Sequence, residues 1–170
     1  MSEPEQNQIF KTWLAQYKAL LFKVVRAYAV TPMDQDDLFQ EISIQVWRSI
    51  PAFKQQSANT TWIYRIALNT ALKWGSNERK HAKRQEPLDS LQTILQETTT
   101  PPDERLDWLY EEIYKLDEID RSITLLLLDG FSYKEMAMII GLSESNIGVK
   151  INRIKKQLIT KSKQQDHYGI

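Results

Sequence analysis

The sequence predicts an all-α protein of two small helical domains joined by a flexible linker, and three observations carry that expectation. Apolar residues recur at spacings of three and four through most of the chain, which turns one face of a helix toward a core. Only five Gly and six Pro serve 170 residues, too few for the many turns of a β architecture. Near the C-terminal end a capped short helix, a glycine turn and a longer helix follow one another, which is the helix-turn-helix pattern.

The first helix is read from Phe10, Trp13, Leu14, Tyr17, Leu20, Leu21, Val24, Val25 and Tyr28, all on one face. Pro32 and Asp34 end that run and open a second helix, with acids in its first turn at the positive end of the helix dipole. Leu38, Ile42, Val46 and Ile50 point inward, and the helix ends near Pro51. A polar connection over 54–59 leads to a third helix spanning 60–83, with Ile63, Ile66, Ala67 and Ala71 inward. Gly75 inside it costs about 1 kcal/mol against Ala, so a kink or pause is expected there.

Between 86 and 102 the periodicity lapses. Pro87, the run Thr98-Thr99-Thr100 and Pro101-Pro102 read as linker, although Leu88, Leu91, Ile94 and Leu95 could form a short helical turn. Helicity resumes at Asp103 with Leu106, Leu109, Tyr110 and Ile113 inward, then again over 117–128, closed by Asp129-Gly130. Ser132 and Glu135 form a capping box, whose side chains satisfy each other's orphan amides. The short helix from Tyr133 to Ile140 stops at Gly141, and Ser143 caps a last helix running to about Lys161. On that helix Ile147, Ile151, Ile154 and Leu158 fall within about 60° of one another, giving a packing face. The expected domains are thus 1–85 and 103–165, with an acidic linker over 86–102.

The formal net charge is zero, but the charges are segregated. Residues 51–85 carry +6, residues 86–120 carry −9, residues 121–170 carry +4 and residues 1–50 carry −1. Screening limits the reach of a charge to about 8–10 Å at ordinary salt, so two basic patches can attract phosphate on a neutral molecule. On the last helix Asn146, Lys150, Arg153 and Gln157 form a polar stripe, with Ser145, Val149 and Lys156 further round. Asn and Arg offer bidentate hydrogen bonds to adenine and guanine edges. Such a stripe can also be an ordinary solvated face; the capping box, glycine turn and local charge favour DNA. In the first half Phe53, Trp62, Tyr64 and Trp74 are interleaved with Arg65, Asn69, Lys73 and the basic run 79–84. Aromatics beside cations suit unpaired bases, with stacking worth about 1–3 kcal/mol per base. The same aromatics could be core.

An enzyme is not expected. His81 and His167 lie in polar stretches, and no nucleophile–base or metal spacing is present, so neither cofactor nor metal is expected. The absence of Cys excludes a disulfide framework. No apolar run reaches the 18 or so residues of a membrane span, and the acidic start is not a signal peptide, so a cytoplasmic location without membrane insertion is expected.

Asp36-Asp37-Leu38-Phe39-Gln40-Glu41, then Trp47, Phe53 and Thr61-Trp62-Ile63-Tyr64-Arg65-Ile66-Ala67-Leu68-Asn69, resembles region 2 of extracytoplasmic-function (ECF) sigma factors of the sigma-70 family. Gly130-Phe131-Ser132-Tyr133-Lys134-Glu135-Met136-Ala137, Gly141-Leu142-Ser143 and Ile147 resemble region 4 of the same group. The resemblance implies a subunit that directs promoter recognition, DNA melting and transcription initiation. Its partners would be core RNA polymerase (β′ clamp and β flap), promoter DNA and an anti-sigma factor. It implies contacts to core through Asp37, Leu38, Gln40, Glu41 and Trp47. For the −10 element it implies Phe53, Ser57, Trp62, Arg65, Asn69 and Lys73, with Asn69 and the loop 53–58 taking a flipped base. Asn69 could instead bond backbone carbonyls. For the −35 duplex it implies Ser145, Asn146, Val149, Lys150, Arg153 and Lys156. Departures from the group's pattern are Trp74-Gly75-Ser76, Gly148 where many relatives carry Lys, and Lys150 where Arg is frequent. The rival readings are a helix-turn-helix regulator acting without core polymerase, which leaves the third helix without a purpose, and an adaptor of packed helices, which leaves the segregated charge without one.

Overall fold

A computed structural model describes the backbone of residues 1–81 and 103–167, and every described element is helical. The chain divides into two compact units, residues 1–104 and residues 105–170. The linker expected over 86–102 lies outside the described residues, as do the apolar turn proposed within it and the basic residues at 83 and 84.

The first unit is a bundle of three helices: α1 (Glu3–Tyr28), α2 (Pro32–Ser49) and α3 (Asn59–His81), with a single 3-10 turn at Ile50–Ala52 after α2. Helix α1 begins well before its apolar face. Ser2 supplies the start, its backbone N–H and hydroxyl both donating to the Glu5 carboxylate at 2.7 and 2.9 Å. The Ser2 backbone bond, with the hydroxyl second, holds the Glu5 carboxyl below its ordinary value. Thr31 caps α2 by accepting from the Asp34 amide at 3.1 Å, and Pro32 follows at the position where its missing N–H costs nothing. The two helices run antiparallel. Gln6 at the start of α1 donates to the Trp47 carbonyl at 2.7 Å, the Trp47 indole donates to Asn7 at 2.8 Å, and Phe22 stacks on Phe39 with ring centres 5.0 Å apart.

Val24, Val25, Leu38, Ile42, Ile50 and Ile63 make up much of the shared core, each no more than 2% exposed. Tyr64 is wholly buried among them, so it is a core residue and not one of the aromatics open to bases. Ile66, expected inward, is half-buried. Helix α3 runs through Gly75 without a break. The cost of one glycine is small beside the burial of Ile63, Ala67, Leu68 and Ala71 along the same helix.

The second unit contains α4 (Glu104–Lys115), α5 (Glu118–Leu128), α6 (Tyr133–Ile140) and α7 (Glu144–His167). Residues 120–126 of α5 are all buried, so this helix is the unit's centre. Asp117 caps it by accepting from the Asp120 amide at 2.9 Å. Arg121 reaches back to the end of α4, donating to the carbonyls of Tyr114 and Leu116 at 2.7 and 3.1 Å, and its guanidinium lies 4.9 Å from the Tyr114 ring centre. A cation there satisfies the carbonyls that a helix end leaves open. Glu112 ties α4 to α7 through Lys161 at 2.6 Å. Leu106, expected inward, is 42% exposed, whereas Ile113 is fully buried.

The helix-turn-helix forms as its capping residues require. The Ser132 hydroxyl accepts from the Glu135 amide at 3.1 Å while the Glu135 carboxylate accepts from the Ser132 amide at 2.7 Å. Gly141 takes φ 83°, which a side chain would oppose, and so turns the chain out of α6. Ser143 then accepts from the Asn146 amide at 3.1 Å and opens α7. Ile147, Ile151 and Ile154 are no more than 1% exposed and lock α7 onto the rest of the unit.

Candidate nucleic-acid interface

Burying one side of a helix fixes what its other side presents. On α3 the burial of Ile63, Ala67 and Ala71 leaves Arg65, Asn69 and Lys73 exposed. These three are spaced by four, so successive members step by only about 40° and form a single stripe. Among the described residues no hydrogen bond from the Asn69 amide to a backbone carbonyl is found, and the side chain is exposed.

Beside this stripe the loop before α3 is held by aromatic rings. Phe53 packs edge-on to Trp13 with centres 5.2 Å apart and lies 5.4 Å from Trp62. The Trp62 indole donates to the Ser49 hydroxyl at 3.2 Å. Phe53 and Trp62 are therefore half-buried supports of the loop wall, a role between the two open at the sequence level. Ser57 is exposed in the same loop. Gln55 there takes φ 54°, a left-handed conformation uncommon for a residue with a side chain.

On α7 the burial of Ile147, Ile151 and Ile154 leaves Ser145, Asn146, Val149, Arg153 and Lys156 exposed on the far side. Val149 is 66% exposed, an apolar group offered to solvent among polar ones. Lys150 differs. It turns to Asp120 of α5, with its ammonium 3.0 Å from one carboxylate oxygen and its side chain 21% exposed. Arg153 meets the other oxygen at 2.7 Å but keeps 60% of its side chain exposed. Gly148 faces the Tyr133 ring of α6, where an added Cβ would stand 3.4 Å from the ring edge. That is an ordinary contact distance, so the position has room for a small side chain against the ring.

On α2 Asp37 and Gln40 are exposed. Glu41 is half-buried and accepts from the Gln45 amide at 2.8 Å. Trp47 is half-buried and spends its indole N–H on Asn7. Leu38 is corrected: it is fully buried between helices and offers no surface to a partner. Ile44, 44% exposed one turn beyond Gln40, was missed by the sequence reading. Its spacing of seven from Asp37 marks it as part of the same outward stripe.

Against these two faces, one on each unit, stand the family matches. Residues 13–81 match sigma-70 region 2, and residues 106–158 match sigma-70 region 4. The chain belongs to the sigma-70 family. Its curated relatives place it in the ECF group. The ECF RNA polymerase sigma-E factor of Haemophilus influenzae is 28% identical over 167 residues, covering 91% of this chain and 88% of that one. The sigma-E factor of Escherichia coli K12 is 29% identical over 171 residues, covering 91% and 87%.

Solved structures share the sigma factor's fold. The sigma factor RpoE of Bartonella quintana, in complex with the anti-sigma factor NepR, matches with a TM-score of 0.68 at 20% identity, covering 89% of this chain and 94% of that one. CnrH, in complex with the cytosolic domain of CnrY, matches with a TM-score of 0.67 at 19% identity, covering 93% and 90%. This sigma factor acts with RNA polymerase in transcription initiation. Members of the family are DNA-binding regulatory proteins, not enzymes. Among the described residues no helix of the sigma factor is long and apolar enough to cross a membrane, and no cluster of metal-ligating side chains is found.

Asp120 is the functional neighbour that sequence reasoning missed. It was counted with the acidic run ending at 120, yet it belongs to α5 and lies 5% exposed against α7. Its partners are 30 and 33 residues away, and no local spacing marks them.

Proposed function

We propose that this sigma factor divides promoter recognition between its two units, residues 1–85 acting as region 2 and residues 103–165 as region 4, with 86–102 joining them. The observation that carries the proposal is the exposed stripe Arg65, Asn69 and Lys73 on α3. A guanidinium, an amide and an ammonium in a row suit a strand whose phosphates are tracked while one unstacked base is read. The loop wall of Phe53 and Trp62, with Ser57 beside it, bounds the pocket for that base. Ser145, Asn146, Val149, Arg153 and Lys156 on α7 take the −35 element as duplex, base edges being open to Asn and Arg in the major groove. Asp37, Gln40 and Glu41, with Ile44, form the patch on α2 for the β′ clamp of core polymerase, and region 4 meets the β flap. The protein works in the cytoplasm without a catalytic step of its own.

An anti-sigma factor is the expected regulator, because a solved relative of the same fold is held by one. The test is reconstitution. Purified protein is expected to co-purify with core polymerase at low salt and to open its own promoter. Asn69→Ala is expected to reduce permanganate-detected opening by at least about tenfold while leaving duplex capture nearly intact, the loss of one stacked and hydrogen-bonded base. Failure to bind core, or equal loss at both steps, removes the assignment.

A further inference from the structure

Both carboxylate oxygens of Asp120 on α5 engage side chains of α7, the helix assigned to duplex reading. Lys150 Nζ stands 3.0 Å from Oδ1 and Arg153 Nη2 stands 2.7 Å from Oδ2. The carboxylate is 7% exposed, and it sits on the most deeply buried helix of the unit, which gives it a fixed position. Its two partners are not equivalent. Lys150 is drawn against the unit, while Arg153 keeps 60% of its side chain in solvent.

An Arg guanidinium has five N–H donors in a rigid plane, and a carboxylate that engages Nη2 leaves the remaining edge free. Anchoring one end fixes the plane and direction of the other. Reading a guanine needs just that, since O6 and N7 are met together only by a fork presented in one orientation. A freely rotating Arg must be ordered on binding, and that cost is removed if the protein has met it already. The same carboxylate engages Lys150, a point charge whose natural use would be a phosphate of any sequence.

We infer that Asp120 is a positioning residue for promoter specificity, aiming Arg153 at base edges and withholding Lys150 from the backbone. The inference rests on the reading of α7 as the −35 helix. A purely structural ion pair between α5 and α7 would stabilise the unit and leave sequence preference alone, so the two are separable.

The experiment uses holoenzyme assembled with core polymerase and a promoter library randomised through the −35 element. Asp120→Asn is expected to lower the base preference at the position that Arg153 reads by about tenfold, the scale of one bidentate contact. The salt dependence of binding is expected to steepen by about one ion as Lys150 is released. In an Arg153→Ala background Asp120→Asn is expected to cause no further loss at that position, because its effect passes through the missing side chain. Lys150→Gln, which keeps a hydrogen-bond donor within reach of Asp120, is expected to alter the salt slope by less than Lys156→Gln does. A folded Asp120→Asn protein with unchanged preference overturns the aiming role, and an equal slope change for Lys150→Gln and Lys156→Gln overturns the withholding. If Arg153→Ala itself leaves preference unchanged, the assignment of Arg153 as a base contact falls first, and the role of Asp120 with it.

Discussion

Two buried acids of the second unit, Glu112 and Asp120, each bind two cations, and their partners on α7 are not marked by spacing in the sequence. Glu112 accepts from Lys115 and Lys161, both at 2.6 Å. Burial works against its ionised form, but the hydrogen bonds and charges of the two lysines outweigh that and hold the carboxyl below its ordinary value of 4.5. The group is therefore ionised more readily folded than unfolded, and its contribution is present above the unfolded value and lost as pH falls through the folded one. Lys115 is raised above its ordinary 10.5 chiefly by the hydrogen bond to Glu112, so its share persists at neutral pH and fades only in strong alkali. Glu112→Gln is expected to cost on the order of 1 kcal/mol at pH 7 and almost nothing in acid. Urea unfolding at neutral and acid pH checks this; a variant equally weakened at both would make the role one of packing. The lysine at 115 is a helical neighbour that spacing reveals, whereas Lys161 meets Glu112 only because α4 and α7 pack.

Helices were legible where caps and apolar spacing agreed. Ser132, Gly141 and Ser143 fixed the ends of the helix-turn-helix, because each end leaves amides or carbonyls that only certain residues satisfy. Propensity alone misled at Gly75, through which α3 continues to His81 after a well-buried first half. It was also uninformative beyond Lys161, where α7 continues to His167 through polar helix formers that show no periodicity. Leu106 matched the apolar pattern but lies within the first turn of α4, too near the end of the unit to be covered. The isoleucines of α7 test how far this helix depends on its packing. Ile151→Ala is expected to destabilise the second unit by about 2–5 kcal/mol, the cost of a cavity in a close-packed core. Ile159→Ala, at a position 54% exposed, is expected to stay within about 0.5 kcal/mol. Thermal unfolding compares them, and similar losses would mean α7 is held elsewhere.

For the molecule as a whole, zero net charge conceals two basic faces, and this was readable because charge could be counted by segment. Which cations face outward was not. That depends on burial of the opposite helix face, and at Lys150 on an acid from another helix. Lys73 and Lys156, one on each unit, are both exposed. Replacing either by Gln is expected to weaken promoter binding to a similar extent across sequences and to lower the salt slope by about one. A changed sequence preference would instead make that lysine a reader of bases.

The aromatic cluster under the loop 53–58 also has a spectroscopic consequence. Trp62 is half-buried, touches Phe53 and donates to Ser49, so its indole emission depends on the polarity and hydrogen bonding of the pocket wall. A base entering beside it would quench or shift that emission without any attached dye. On the proposed reading of this loop as the −10 pocket, the protein carries its own fluorophore beside the base it would capture.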